Sequence, residues 1–452
     1  MRLTTCTNFS GTCSLLTMNS TMHVRFASFT GFFLVLLLVA LCPAASLQAQ
    51  WRYTYDVKNG IDVLLDQDLA PLHGKRVALV SNQTGRTRTL RSTLDLLADH
   101  KQVTLTAVMT PEHGYYGVAR AGEEVQDSIM PTIRDVPAYS LYAGSRRPAE
   151  YMLDSCDLVV FDIQDVGVRS YTYLGTLYHV MDACAEYGVP LMVLDRPNPL
   201  GGENIDGNVL DSTIRSFVGI VPVPYIHGMT FGELAEMING EGWLPTPEGD
   251  STARRCDLEV VKMANWERWM LWEDTDFRWI PTSPHVPSVD AIRGMAMLGI
   301  FGELSLLNIG VGYTLPFQMF GMPNFNHDFF NELIRTKKFP GIELVPTEFR
   351  PFYGKFARED CRGYLLRFYN DINFKPYTSG VELVLALRKT HPELFDAQAI
   401  AEDRQAMFAK VTGSETLFEK LYNRATDLEI RQLTRQGADE FALMREPYLL
   451  YQ

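Results

Sequence analysis

Four runs of apolar residues recur between Lys75 and Asp195: Val77 to Val80, Val103 to Met109, Leu158 to Phe161 and Leu191 to Leu194. Helical patterns separate them. Between the last two runs, Leu174, Leu177, Tyr178, Met181, Cys184 and Ala185 recur at helical spacing until Gly188 and Pro190 stop the helix. Apolar runs alternating with helices mark buried parallel strands. The pattern therefore predicts an α/β fold, with a Rossmann-like parallel sheet covered by helices on its faces.

After Leu200 the pattern loosens into Gly- and Pro-rich segments around Gly201-Gly202, Pro222 to Pro224 and Ile280 to Pro287. These read as excursions over a cleft or as a crossing between domains. Thr230 with Glu233 fits a capping box that opens a helix through Ile238, which makes Glu233 structural. Beyond it the pattern predicts a helix over 326–337, strands near 342–345 and 365–369, and helices from Gly380 onward. That is a second, smaller α/β domain, with the active site expected in the cleft between the two.

At the N-terminus, Arg25 precedes an apolar run from Phe26 to Leu41, followed by the small-residue stretch Pro43 to Ala49. This is the layout of a secretory signal, and the run is shorter than the roughly 20 residues a spanning helix needs. The expected division is a signal peptide over 1–49, a catalytic domain over 50–290 and a C-terminal domain over 291–452, in an exported, periplasmic protein without a membrane span. Cys42 offers a lipoprotein form, disfavoured because Leu41 stands where lipid-modification signals take a small side chain.

The net charge of −13 becomes more negative once Arg2 and Arg25 leave with the signal, so nucleic acid is not the expected partner. Cys156, Cys184, Cys256 and Cys361 are scattered without a CxxC pair, which gives neither a disulfide framework nor a zinc site. No GxGxxG or GxxxxGK[ST] follows a strand and no HExxH occurs, so no cofactor and no metal are expected. His113, Asp162, Asp165 and His227 form a metal set only if separate loops bring them together.

Chemistry concentrates directly after the strands: Ser81-Asn82-Gln83-Thr84-Gly85, Thr110-Pro111-Glu112-His113-Gly114, Asp162-Ile163-Gln164-Asp165 and Asp195-Arg196-Pro197-Asn198-Pro199. In parallel sheets ligands bind outside the carboxyl ends of the strands, so these loops should converge on one cleft. Glu112 can protonate a leaving oxygen from such a loop, or it can cap a turn. His113 beside it can be catalytic or a hydrogen-bonded wall residue. Asp162 and Asp165, with Arg169, Tyr171 and Tyr173 downstream, fit a sugar subsite in which rings stack and carboxylates grip hydroxyls. Asp162 can equally serve as a loop cap, and Asp195 and Arg196 can pair with each other. His227 stays open.

Taken together, Asn82-Gln83-Thr84-Gly85, Pro111 to Gly114, Asp162 to Arg169 and Leu194 to Gly202 resemble the NamZ-type exo-β-N-acetylmuramidase family. The resemblance continues through Ser216 to Gly219, His227 to Thr230, Ser283-Pro284 and Arg445 to Tyr451. It implies a Rossmann-like domain with a smaller C-terminal domain, and release of N-acetylmuramic acid from non-reducing ends of peptidoglycan fragments or muropeptides. It also implies Glu112 as acid/base. Asp165 and His113 complete the candidate catalytic set, and Asn82, Gln83, Asp162, Arg169, Tyr171, Asp195, Arg196, Asn198 and His227 are the candidate substrate contacts.

One stretch departs from the family. Where a Ser-Glu-Gly-Arg-Gly-Thr loop is common, this chain has Asn308-Ile309-Gly310-Val311-Gly312-Tyr313. An Arg there can hold the lactyl carboxylate of muramic acid, so its loss puts sugar identity in question; Arg169, Arg196 or Arg120 are the candidates to compensate. Two rivals follow: a non-catalytic peptidoglycan-binding protein, and a metal-dependent wall hydrolase that chelators would silence. The oligomeric state is not set by the sequence.

Overall fold

The computed structural model describes residues 55–123, 132–335, 337, 339–371, 373–423 and 425–452. The expected signal segment lies outside the described residues. Seven strands form the main sheet: β1 (Arg76–Ser81), β2 (Thr104–Thr110), β3 (Thr132–Ile133), β4 (Val136–Ser140), β5 (Leu158–Asp162), β6 (Leu191–Leu194) and, later in the chain, Leu258–Val261. Between them in sequence, β7 (Asp206–Val209) and β8 (Pro224–Ile226) pair as a separate antiparallel ribbon, which makes Leu258–Val261 β9.

The strand order β3-β4-β2-β1-β5-β6-β9 is parallel except where β3 meets β4. The chain leaves β1 for β2 on one side and returns to β5 on the other. Connections on the two sides of β1 therefore diverge, and a crevice opens at the carboxyl ends of the strands. Residue alternation along β1 fills both faces. Ala78 and Val80 pack with the helix Thr172–Tyr187 and with Phe231–Glu241, while Val77 and Leu79 pack against Gly60–Asp66 and Thr93–Asp99. Truncating a fully buried residue of these layers, such as Leu177, costs about 2–5 kcal/mol.

The expected capping box is present: the Thr230 side chain accepts from the Glu233 N–H while Glu233 accepts from that of Thr230. Gly188 ends its helix in the left-handed conformation, as predicted from its position.

The C-terminal part carries a three-stranded antiparallel sheet, β10 (Met319–Met322), β12 (Cys361–Phe368) and β11 (Ile342–Phe349) in that order, packed on the helices Val289–Leu304 and Pro376–Thr390. Its core is continuous with the main body, because Val166, Val168, Tyr225 and Ile226 belong to the same cluster. Val289–Leu304 was not expected. It is buried on nearly every side, so it shows no polar face, and Gly294 lies where a Cβ would meet the Phe317 carbonyl oxygen at 1.8 Å. Among the described residues no helix is long and apolar enough to cross a membrane.

Candidate active site

Glu112 sits one turn beyond β2. His113 and Gly114 follow it with φ of 71° and 72°, a left-handed pair that non-glycine residues adopt only under constraint. Here the constraint is visible: His113 Nδ1 lies 2.8 Å from the Ala119 carbonyl oxygen, and the Gly114 N–H donates to Pro111. The turn aims the Glu112 carboxylate at the first turn of the helix Thr172–Tyr187. Its Oε2 accepts from Thr172 Oγ1 at 2.6 Å and its Oε1 from the Gly122 N–H at 2.7 Å.

Glu112 and His113 form one wall of a cavity of ≈ 300 Å³. Tyr142, Ser170, Tyr171, Thr172, Ser283 and His285 extend this polar wall, while Met295, Ile309, Phe317, Met407 and Val411 face it from the C-terminal part. The Tyr142 hydroxyl is pushed up to about 12 by burial and by the Glu112 charge. Tyr171 donates to Thr282 Oγ1 at 2.8 Å and is pushed up by burial, with Glu112 and Asp165 adding to the effect. Burial and the neighbouring His113 and Arg120 lower His285, whose Nε2 lies 2.9 Å from the Tyr353 hydroxyl. At the far end Glu303 is raised by burial. A carboxyl aligned by two donors, beside aromatic and apolar walls, is positioned to exchange a proton with a ring-shaped, polar ligand.

The remaining strand ends close on themselves. Asp162 is fully buried, taking the Arg196 guanidinium at 2.5 Å and Thr93 Oγ1 at 2.5 Å. Arg196 thus pairs with Asp162 and not with its neighbour Asp195, because the guanidinium reaches back across the β5 end while only its backbone N–H meets Asp195. Asp195 accepts from Thr230, Gly232 and the Tyr451 hydroxyl, so it fastens both a helix start and the chain's C-terminal segment. Burial raises it to about 6.

Matches to two family models decide what this architecture belongs to: NamZ N-terminal over residues 77–290 and NamZ C-terminal over 293–451. The chain belongs to the NamZ exo-beta-N-acetylmuramidase family. The peptidoglycan beta-N-acetylmuramidase NamZ of Bacillus subtilis (strain 168) is 33% identical over 426 residues, 94% of this chain and 99% of that protein. Two solved DUF1343 family proteins of Bacteroides fragilis share the fold. One matches with TM-score 0.81 at 35% identity, covering 88% of this chain and 100% of its own, the other with TM-score 0.67 at 29% identity, covering 88% and 99%.

Against this NamZ frame the candidate residues separate into groups. Glu112, His113 and Tyr171 line the cavity. Asp165 and His227 form a buried couple, Oδ2 to Nε2 3.6 Å, in which Asp165 Oδ1 and His227 Nε2 have no hydrogen-bond partner. The Met229 N–H donates to His227 Nδ1, which leaves Nε2 to carry the proton and face Asp165. Asn82 holds Thr84 and the Tyr173 hydroxyl, Gln83 donates to the Pro281 carbonyl, and Asn198 ties Leu200 to Met229. Arg169 does not reach the cavity lining; it donates to the carbonyls of Asn208, Val223 and Thr412, joining the two parts of the chain.

Tyr142, Thr172, His285 and Glu303 were not anticipated. Among the described residues, Asp68, His73 and His100 alone bring three ligating atoms within 4.8 Å, at the opposite, amino-terminal edge of the sheet.

Proposed function

We propose that the chain is an exo-acting glycosidase that releases N-acetylmuramic acid from the non-reducing ends of peptidoglycan fragments, with Glu112 as general acid and then base. The observation that carries this reading is the placement of Glu112: it lines the cavity with both carboxylate oxygens aligned, while the acids of the neighbouring strand ends are consumed by internal partners. The name of the curated Bacillus subtilis relative supports the substrate.

Glu112 protonates the glycosidic oxygen as positive charge develops on the sugar ring. Thr172 and the Gly122 amide fix the carboxyl, and Tyr171 with the opposed apolar wall orients the ring and displaces water. For the second group, the near-complete burial of Asp165 and its place outside the lining favour attack by the substrate's own 2-acetamido oxygen over direct attack by Asp165. A substrate with a hydroxyl in place of the acetamido group is then inert.

A second reading, a peptidoglycan-binding protein without turnover, draws on the 308–313 loop, which offers Ile309 to the cavity and no charge. Hydrolysis of a chromogenic β-N-acetylmuramide beside its N-acetylglucosaminide analogue separates the readings. Release from the muramide that Glu112→Gln abolishes is the expected result; fragment binding with no release from either compound overturns it. We also propose export with cleavage after Ala49 and a domain division near 290, tested by N-terminal sequencing of the exported protein and by limited proteolysis.

A further inference from the structure

A muramic sugar differs from a glucosamine by one group, a carboxylate on an ether at O3, so an enzyme that selects it needs a cation near the acid. The 308–313 loop supplies none: Asn308 spends its amide on the carbonyls of Val311 and Lys355 and accepts from the Gly310 N–H. Arg169 and Arg196 are buried in protein partners. Arg147 is paired with Asp182 and Glu186, and Arg293 with Glu273 and Asp290.

Arg146 differs from all of these. It is exposed, and no carboxylate pairs with it among the described residues. Its guanidinium carbon stands 4.2 Å from the Phe217 ring centroid and 5.1 Å from that of Tyr142. Two rings fix a guanidinium without neutralising it, and with one donor turned to the Tyr142 hydroxyl the rest of its N–H fork stays available. Tyr142 is itself a cavity residue, and its hydroxyl is acted on by both Glu112 and Arg146. An unpaired, pre-oriented cation thus lies one side chain away from the acid. Arg120, the other exposed candidate, sits on the loop beside Ala121, and among the described residues no ring holds it.

We propose that Arg146, shelved on Phe217 and Tyr142 beside Glu112, is the carboxylate-binding residue that selects the lactyl-bearing sugar. This rests on the glycosidase reading and deepens it. Arg146 acts in binding, so its loss raises KM for the muramide, and the selectivity ratio of kcat/KM for muramide over glucosaminide carries the signal. A charge-assisted hydrogen bond predicts a ratio about ten- to a hundredfold lower in Arg146→Ala, with part of it recovered in Arg146→Lys, which keeps the charge but not the fork.

The experiment measures both substrates, and the muramide as its lactyl methyl ester, on wild type, Arg146→Ala and Arg146→Lys, with melting temperatures to confirm folding. Support is a collapsed ratio in Arg146→Ala and an esterification penalty present in wild type and missing in that variant. An unchanged ratio with active wild type overturns the Arg146 assignment and leaves the glycosidase reading standing. If wild type cleaves neither sugar, the glycosidase reading falls, and calorimetric binding of free N-acetylmuramic acid against N-acetylglucosamine decides Arg146: equal preference in wild type and Arg146→Ala overturns it.

Discussion

The carboxyl edge of the main sheet has two halves that look alike in sequence and differ in fate. At the ends of β5 and β6, Asp162 and Asp195 are sealed into contacts with Arg196, Thr93, Thr230 and Tyr451. Beyond β2 and β4, Glu112 and Tyr142 face a cavity. An acid after an apolar strand is therefore a clamp where an arginine, a helix start or the chain's C-terminal segment seals it off, and a site where it still lines a cavity shared with a distant part of the chain. One half gives rigidity and the other keeps a group available for chemistry.

The largest expected contrast comes from Glu112→Gln. On the proposed role, loss of the general acid should lower turnover about a hundred- to ten-thousandfold, with a melting temperature near wild type, since the contacts altered are those with Thr172, Gly122 and Tyr142. Arg196→Met should do the reverse. It strands the fully buried Asp162, and removing one partner of such a pair costs about 3–5 kcal/mol, read as a lowered denaturation midpoint. A variant that lost activity with no loss of stability would place Arg196 in the site and break the comparison.

Asp195 gives the clamp a pH signature. Its folded value, raised to about 6 from 3.8, means that the protonated acid favours the folded state. Its contribution is complete below about 4 and is lost as pH rises through about 6. Wild-type stability relative to Asp195→Asn should therefore decline across that window and level off above it, followed by chemical denaturation at stepped pH. Smallest of all, Tyr451→Phe removes the hydroxyl that donates to Asp195 and accepts from the Met263 N–H, and should cost about 1–3 kcal/mol, with kcat/KM unmoved in the muramide assay.

Much of this is legible in the sequence. Strands β1, β5 and β6 are buried on both faces, so their apolar runs are unbroken, β2 is buried only from Ala107 onward, and the glycine after Tyr187 states where its helix ends. Strand β4 was hidden because Pro137 and partly exposed positions interrupt it, and with it went Tyr142 and Arg146. Strand β9 at the sheet edge spans only four positions, of which Val261 alone is buried. Helix Val289–Leu304, which brings Met295 and Glu303 to the cavity, carries Gly294, Gly299 and Gly302 in place of a polar face.

The site was half legible for a related reason. Glu112 was marked by its turn, but the roles of Asp162 and Arg196 depend on a pairing across 34 positions that no local pattern records. Arg169 looked like a ligand because it follows an acidic loop, and it proved to be a strut between the two parts of the chain.

The most direct test of the account is a crystal structure of Glu112→Gln with a disaccharide bearing non-reducing N-acetylmuramic acid. The account predicts the sugar in the cavity between residue 112, Tyr171 and Phe317, its glycosidic oxygen against the residue 112 side chain. Sugar bound instead in the small groove lined by Arg86, Arg196 and Arg278, with the Glu112 cavity empty, would contradict it.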